Sequence, residues 1–175
     1  MSNNYIDNEK FFAEIQEWKR GVIESQEAGE KIPPVTDYIG ECFWKIAEHL
    51  SHKSNFANYP FKDDMIGDAV ENCLMYAHNF NPEKSKNPFS YFTQITYYAF
   101  IRRIEKEKKQ SFIKYKMIQH LDNSGEVRKW FSNNFDKDNN PHEKLAEHFS
   151  LSQNDIDKFS KKNKKEKKSE DSNNK

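Results

Sequence analysis

The sequence predicts an all-α protein, with a compact multi-helix domain and a polar, partly disordered C-terminal tail. Four segments carry apolar residues at spacings of three and four, the pattern of helices that bury one face. No segment shows the alternation of a half-buried strand. The chain of 175 residues, 35% of them apolar, is long enough for one core of ordinary domain size, whereas residues 161–175 contain no large apolar side chain.

The first two helices are predicted from their caps and their apolar stripes. Asp7 is a candidate N-cap for the first helix, which should end by Gly29. Thr36 or Asp37 is the candidate N-cap of the second helix. The stripe of the first helix consists of Phe11, Phe12, Ile15, Trp18 and Val22, and that of the second of Ile39, Cys42, Phe43, Ile46, Ala47 and Leu50.

Two further helices should follow a polar loop at residues 51–62. The third is predicted to end at Asn81 and Pro82, because proline disrupts a helix interior. The fourth has Asn87 as a candidate cap and then Pro88, whose missing N–H needs no partner in a first turn. The predicted apolar face of the third helix comprises Met65, Ile66, Ala69, Val70, Cys73, Leu74 and Ala77. That of the fourth comprises Phe89, Phe92, Ile95, Ala99, Phe100 and Ile104.

The C-terminal part of the chain is predicted to be less regular. The helical pattern from Phe112 to Leu121 is a candidate continuation of the fourth helix. Asn123-Ser124-Gly125 then breaks the chain, and residues 136–141 have the composition of a loop. The predicted regions are a helical domain at residues 1–130, a short helical extension at residues 131–160 and a disordered Lys-rich tail at residues 161–175.

Composition limits the cellular location. A mean hydropathy of -1.09 with 32% charged residues indicates a soluble protein. No apolar run approaches the roughly 18 residues of a membrane helix, and the N-terminus lacks the features of a signal peptide. We therefore expect a cytoplasmic protein. Cys42 and Cys73 fall within apolar helical patterns, so we expect two reduced thiols in the core.

Basic and aromatic residues concentrate in one stretch. Residues 1–83 contain 7 Lys and Arg against 15 Asp and Glu, whereas residues 84–130 contain 11 against 4. Proteins hold unpaired nucleic acid with rings that stack on bases and cations that follow the backbone. Nucleic-acid binding and simple core packing of the rings both fit the pattern. The rings are Tyr91, Phe92, Tyr97, Tyr98 and Phe100, and the cations are Lys84, Lys86, Arg102 and Arg103.

The same stretch resembles region 2 of sigma factors. Residues 64–80 form an acidic helical pattern that ends in Phe, residues 81–87 form a basic turn, and residues 88–104 form an aromatic helix ending Arg-Arg-Ile. The family shows an acidic helix ending in Phe, a basic turn, a Phe-Ser-Thr-Tyr-Ala-like motif and a helix ending in Arg. The chain looks most like the late-transcription sigma factors of T-even-type bacteriophages, because it is short and contains the sequence Lys-Asn-Pro-Phe-Ser-Tyr-Phe-Thr-Gln.

For the third helix, the resemblance implies a surface that binds RNA polymerase. Asp64, Asp68 and Leu74 match positions that dock on the coiled coil of the largest polymerase subunit. Gly67 departs from the family, which has a polar contact residue at that position. The implied partner is the core RNA polymerase of a bacterial host.

For the fourth helix, the resemblance implies a surface that binds promoter DNA. Tyr91 matches the aromatic residue that stacks against the flipped adenine when the promoter opens. Arg102 and Arg103 would then hold phosphates near the edge of the duplex. Gln94 and Ile95 depart from the paired tryptophans of primary sigma factors. The candidates for contacts with the unpaired bases are Gln94, Tyr97 and Tyr98.

The resemblance as a whole implies a late sigma factor of the phage type. Such a protein binds core polymerase, recognises and melts a -10-like promoter element and starts late-gene transcription in the infected host cell. T-even relatives end in a hydrophobic motif that binds the sliding clamp, but this chain ends Glu-Asp-Ser-Asn-Asn-Lys, so a clamp and a late coactivator stay open as partners. The alternatives are a polymerase-binding adaptor or sigma antagonist that does not contact DNA, and a nonspecific single-strand binder.

A weak helix-turn-helix pattern occupies residues 144–159. Ala146, Ile156 and a turn residue, Ser150, have the spacing of that motif. The sequence leaves two interpretations open, which are contact with DNA and a short amphipathic helix that docks on protein.

No residue pattern indicates catalysis, a cofactor or a metal. The six histidines lack the spacing of a closed metal site with carboxylates or thiols. Asp63, Asp64 and Asp68 resemble a nuclease cluster only superficially, because acidic residues at a helix start are explained by the helix dipole and by a basic partner. There is no Gly-rich phosphate loop and no Gly-x-Ser-x-Gly motif. We therefore expect a protein that is not an enzyme.

Overall fold

The structure, a computed structural model, describes residues 5–121, 125, 129 and 141–161. Every regular element in those residues is helical, which confirms the all-α prediction. The chain divides into two compact units, residues 1–103 (unit 1) and residues 104–175 (unit 2). The helices are α1 (Asn8–Glu27), α2 (Asp37–Ser51), α3 (Lys62–Tyr76), α4 (Pro88–Leu121), α5 (Pro141–His148) and α6 (residues 153–161), with a 3-10 turn at Ala77–Asn79.

Three predictions for the C-terminal part lie wholly or partly beyond the described residues. The predicted break at Asn123-Ser124 is outside them. Of the tail predicted at residues 161–175, only Lys161 is described, and it is the last residue of α6. Of the loop predicted at residues 136–141, only Pro141 is described, and it begins α5.

Both ends of α1 lie where the sequence predicts them. The Asp7 carboxylate accepts two backbone N–H groups of the first turn, at 3.0 and 3.1 Å. Gly29 has a φ of +68°, a left-handed conformation that glycine adopts without the steric cost of a Cβ. The N–H groups of Gly29 and Glu30 donate to carbonyls in the last turn at 3.3 and 2.8 Å, so the helix ends with its carbonyls satisfied.

The start of α2 is fixed by two hydrogen bonds. Thr36, rather than Asp37, is the N-cap, and its hydroxyl accepts the N–H of Ile39 at 3.3 Å. The indole N–H of Trp18 donates to the carbonyl of Pro33 at 3.1 Å, which ties the linker before α2 back to α1. Five residues of the predicted stripe are buried, namely Ile39, Cys42, Phe43, Ile46 and Ala47.

Helix α3 buries a narrower stripe than the sequence predicts. Met65, Ala69 and Cys73 are buried at a spacing of four. Leu74 was expected on the same face, and this was wrong, because it leaves 45% of its surface exposed. Each residue of an α-helix lies about 100° around the axis from the one before, which turns Leu74 away from the stripe that contains Cys73. The α-helix also ends earlier than predicted, at Tyr76, before the 3-10 turn.

Helix α4 begins and continues as the sequence predicts. The side chain of Asn87 accepts the N–H of Ser90 at 3.0 Å, and Pro88 is the first helical residue. The Phe112–Leu121 pattern continues the same helix. The boundary between the two compact units falls within α4, after Arg103, whereas the predicted first region ends at residue 130. The spacing of apolar residues does not reveal a boundary between two units when that boundary lies within a continuous helix.

The core of unit 1 is built largely from aromatic rings. Phe92, fully buried, lies with its ring centroid 4.4 Å from that of Phe43, 5.8 Å from Phe11 and 6.1 Å from Phe80. Both cysteines are buried free thiols, as predicted. Burial raises the pKa of the Cys73 thiol to about 11, against a smaller lowering by its contact with Thr96.

Unit 2 combines the second half of α4 with α5 and α6. Its buried cluster joins residues from all three helices and the turn between the last two, and consists of Phe112, Tyr115, Leu145, Ala146, Leu151 and Phe159. None of the helices described is both long enough and apolar enough to cross a membrane.

Candidate functional site

One side of α4 in unit 1 presents three of the predicted DNA-binding residues to solvent. Gln94, Tyr98 and Arg102 follow one another at a spacing of four, which places them along one side of the helix. All three are exposed, and Tyr98 leaves 52% of its surface open. Tyr97 lies beside them and is 41% exposed. These four residues are called the α4 face.

A buried ring from the loop between α2 and α3 supports the α4 face. The ring of Phe56, 3% exposed, lies edge-on to Tyr97 with 5.7 Å between centroids and also contacts Phe100 at 5.1 Å. Tyr97 and Tyr98 are themselves perpendicular at 5.7 Å. Such edge-to-face pairs hold rings in place. Phe56 was not among the predicted site residues, although a phenylalanine inside a loop indicates that another element covers it.

Tyr91, the residue expected to stack on a flipped base, lies at the edge of the core of unit 1. It is only partly exposed, and its ring centroid is 5.0 Å from Phe92 and 5.3 Å from Phe80. Burial raises the pKa of its phenol. Tyr91 therefore packs against the core to a greater extent than Tyr97 and Tyr98 do.

Arg103, a predicted DNA-binding residue, forms ion pairs with residues that were predicted to bind polymerase. Its guanidinium lies 2.9 Å from a carboxylate oxygen of Asp64 and 3.2 Å from one of Asp68. The Arg103 side chain is 16% exposed, whereas that of Asp64 is 59% exposed. A residue predicted to hold DNA phosphates is thus paired with two residues predicted to bind polymerase. The three residues were predicted to belong to separate surfaces, since residues 64 and 103 are distant in the chain.

Arg102 forms a second polar link between α4 and α3. Its guanidinium donates to the side-chain oxygen of Asn72 at 2.7 Å. The amide of Asn72 in turn donates to the backbone carbonyl of Asp68 at 2.6 Å. Arg102 stays exposed, so this contact orients the guanidinium without burying it. Asn72 was not a predicted site residue, because a polar residue in a helix does not indicate which residue it will bond.

The C-terminal turn of α3 exposes three apolar residues in succession. Leu74, Met75 and Tyr76 leave 45%, 56% and 42% of their surfaces open. The predicted polymerase-binding residue Leu74 is therefore accessible to a partner. Scattered exposed apolar residues are ordinary, but several together at one helix end mark a candidate interaction surface.

A groove of about 560 Å³ runs between α2 and α3. Its lining includes Trp44, Ile66 and Val70, with Asp63 and Lys62 at the start of α3. Trp44 is 47% exposed. A Cβ added at Gly67, which also lines the groove, would meet no atom within 4 Å, so this departure from the sigma pattern leaves open space rather than a tight contact.

Compared with protein-family models and with curated proteins, the chain matches none. In the part of the chain that the structure describes, no group of three or more His, Cys, Asp and Glu residues is placed to hold a metal ion. Function is therefore inferred from α3, from the α4 face and from the resemblance in sequence.

Proposed function

We propose that the protein is a phage-type late sigma factor that binds core RNA polymerase through α3 and melts a -10-like promoter element with the α4 face. The observation that carries the proposal is the pair of exposed rings, Tyr97 and Tyr98, beside Gln94 and Arg102. An aromatic side chain that stacks on an unpaired base contributes about 1–3 kcal/mol. Two such rings favour the melted strand, because paired bases within a duplex offer no free ring face.

The contacts within unit 1 change the roles proposed for two residues. Tyr91 packs on Phe80 and Phe92, and Arg103 pairs with Asp64 and Asp68. In this proposal Tyr91 holds the start of α4 against the core, and Arg103 holds α3 and α4 together. The direct contacts with DNA then come from the α4 face, with Arg102 at the phosphates.

The polymerase partner is proposed for α3 because that helix offers both charge and apolar surface. Asp64 keeps most of its carboxylate exposed, and Leu74 projects from the core. Protein interfaces combine apolar anchors with a rim of charged contacts. The partner is the largest-subunit coiled coil that the resemblance implies, in the cytoplasm of an infected bacterium. A sliding clamp and a late coactivator stay open as further partners.

A second candidate is a polymerase-binding adaptor or sigma antagonist that does not contact DNA. The observation that favours it is the Arg103 pairing, because a cation engaged by Asp64 and Asp68 is not offered to phosphates. In this alternative the α4 face is a protein surface, and α3 binds polymerase as before.

The test is promoter opening by the purified protein with core polymerase from a bacterial host. Permanganate oxidises unpaired thymines, so an A/T-rich late-type promoter of the cognate genome becomes reactive only when it opens. We expect the Tyr97→Ala, Tyr98→Ala double variant to lose roughly 10-fold or more of this reactivity, because two stacking contacts of about 1–3 kcal/mol are removed. Ile23→Ala, an exposed site on α1, is the matched control and should open the promoter normally.

The possible results separate the candidate functions. Unchanged opening by the double variant would refute a role for the α4 face. Stable polymerase binding that depends on Leu74 and Asp64, without opening on any cognate promoter, would establish the adaptor. Tight binding of single-stranded DNA by the free protein, falling steeply with salt, would instead indicate a nonspecific single-strand binder.

A further inference from the structure

The second half of α4 exposes one line of apolar side chains. Ile113, Met117 and Leu121 leave 44%, 66% and 56% of their surfaces open. They follow one another at a spacing of four, so they lie along one side of the helix over a length of about 12 Å. These three residues are called the Met117 line.

The Met117 line is separate from the buried cluster of unit 2. Phe112 and Tyr115, which belong to that cluster, lie on the opposite side of the same helix. Every other exposed large apolar residue in the described part of the chain belongs to unit 1. Single exposed apolar residues are ordinary, but in unit 2 the exposed ones that the structure describes share one line. That arrangement marks a candidate interaction surface.

The surface around the Met117 line is positively charged. Four lysines lie in line with it or on its flanks, namely Lys106, Lys109, Lys114 and Lys116. Residues 104–121 contain two acidic side chains, and one of them, Glu105, pairs with Lys158 of α6. The other is Glu107, which is half-buried. A ligand of this surface should therefore combine apolar groups with negative charge.

An amphipathic helix with acidic flanks has both properties in the right arrangement. Apolar residues at a spacing of four on one helix pack into the grooves of a second helix. Carboxylates beside the apolar side of that second helix would face the lysines, and such charge complementarity speeds association and fixes orientation. The surface thus matches a helical partner in both spacing and charge.

Other occupants match the surface less well. A second copy that docked by the same surface would bring the lysines of both chains together, which is repulsive. A membrane surface favours a wide apolar face, whereas three side chains in one line form a narrow one. A nucleic-acid backbone would leave the same three side chains without an apolar partner.

We propose that the Met117 line and its flanking lysines bind an acidic amphipathic helix of a partner protein. The surface shares no residue with the α4 face or with α3, so it is distinct from the contacts proposed for DNA and for the polymerase coiled coil. The inference does not rest on the proposed sigma function, because every residue that carries it lies in unit 2.

The test is a peptide selection on the full-length protein. A phage-displayed library of helical peptides, randomised along one side and both flanks, is depleted on the Ile113→Gln, Met117→Gln double variant and then enriched on the wild type. We expect the enriched peptides to carry apolar residues at helical spacing with Asp and Glu beside them. A synthetic enriched peptide should bind the double variant at least about 10-fold more weakly in fluorescence anisotropy, because two apolar anchors are lost.

Two further variants separate the apolar contribution from the charge contribution. Ile23→Gln, Ile32→Gln is the matched control, because these isoleucines of unit 1 are 50% and 49% exposed, and it should bind the peptide like the wild type. Lys106→Gln, Lys114→Gln should weaken binding and make it less sensitive to salt, because exposed charges are screened. Circular dichroism checks that each variant stays folded.

The proposal is overturned if no peptide is enriched, if the enriched peptides are not acidic, or if the folded double variant binds them as tightly as the wild type does. Self-association of the wild type in sedimentation velocity that the double variant loses would assign the surface to a second copy and would also overturn it. Binding to phosphatidylserine vesicles that only the double variant loses, without peptide enrichment, would assign the surface to a membrane instead.

Discussion

Unit 1 contains the first half of α4 and unit 2 contains the second half, and the contacts around the two halves differ in kind. In unit 1, Phe92 lies among rings from α1, α2 and the segment after α3, and the nearest centroid is 4.4 Å away. Among the described residues of unit 2, the buried cluster is smaller than that of unit 1, and ion pairs from Lys108 to Asp155 and from Lys158 to Glu105 add to it. We infer that apolar burial dominates the stability of unit 1, whereas charge contributes a larger share to unit 2.

Removal of the central ring of unit 1 should have the largest effect. Phe92→Ala is expected to lower the free energy of unfolding of this unit by about 3–5 kcal/mol, because it deletes a fully buried ring and leaves a cavity. Urea denaturation, followed by amide hydrogen exchange in residues 8–51, measures the loss.

The control for Phe92 is a ring on the other side of the same helix. Tyr98→Ala should change the free energy of unfolding by less than about 0.5 kcal/mol, because Tyr98 is exposed. Equal losses at the two positions would contradict the division of α4 into a buried side and an open face.

Local signals in the sequence predicted most of the fold. Asp7, Thr36 and Asn87 cap helices as expected, because a short polar side chain just before an apolar stripe can accept the N–H groups of the first helical turn. Leu74 was misplaced, because periodicity shows that a helix has an apolar side but not how wide the buried part is. That width depends on neighbours that the sequence does not specify.

The candidate site was predicted less completely than the fold. The exposure of Tyr97, Tyr98 and Gln94 followed from helical spacing once the buried stripe was known. The pairing of Arg103 with Asp64 did not, since it joins residues on different helices. Ser150 was predicted only as the turn residue of a weak motif, and the left-handed φ of 52° that it adopts between α5 and α6 did not follow from the sequence.

Loss of the carboxylate that anchors α6 should have an intermediate effect in unit 2. Asp155→Ala removes bonds to Ser152 and Lys108 and is expected to lower the free energy of unfolding of this unit by about 1.5–3 kcal/mol at pH 7. Asp157→Ala is the control, because within the described residues the only hydrogen-bond partner of its carboxylate is the exposed Gln153. Hydrogen exchange in residues 143–161 reports the change.

The Asp155 carboxylate should also make the stability of unit 2 depend on pH. Burial raises the pKa of Asp155, but the bonds from Ser152 and Lys108 outweigh it, so the pKa lies below its usual range. A lowered native pKa gives stability that is fully present above the unfolded-state value of about 3.9 and is lost as the pH falls through the native value. The wild type and Asp155→Ala should therefore differ less at about pH 3 than at pH 7. A constant difference across this range would show that the charge of Asp155 is not what stabilises the unit.

The smallest loss of unfolding free energy is expected at the ion pairs of Arg103 in unit 1. Arg103→Lys keeps the positive charge but loses the planar group that reaches both Asp64 and Asp68, so it should cost about 1 kcal/mol. Arg20→Lys is the matched control, because Arg20 pairs with Glu17 on an open surface and both side chains are more than half exposed. Urea unfolding of unit 1 in low and high salt measures both variants. A cost at Arg103 as large as that at Phe92 would mean that this ion pair, and not the ring cluster, holds α3 and α4 together, and the contrast between the two units would then fail.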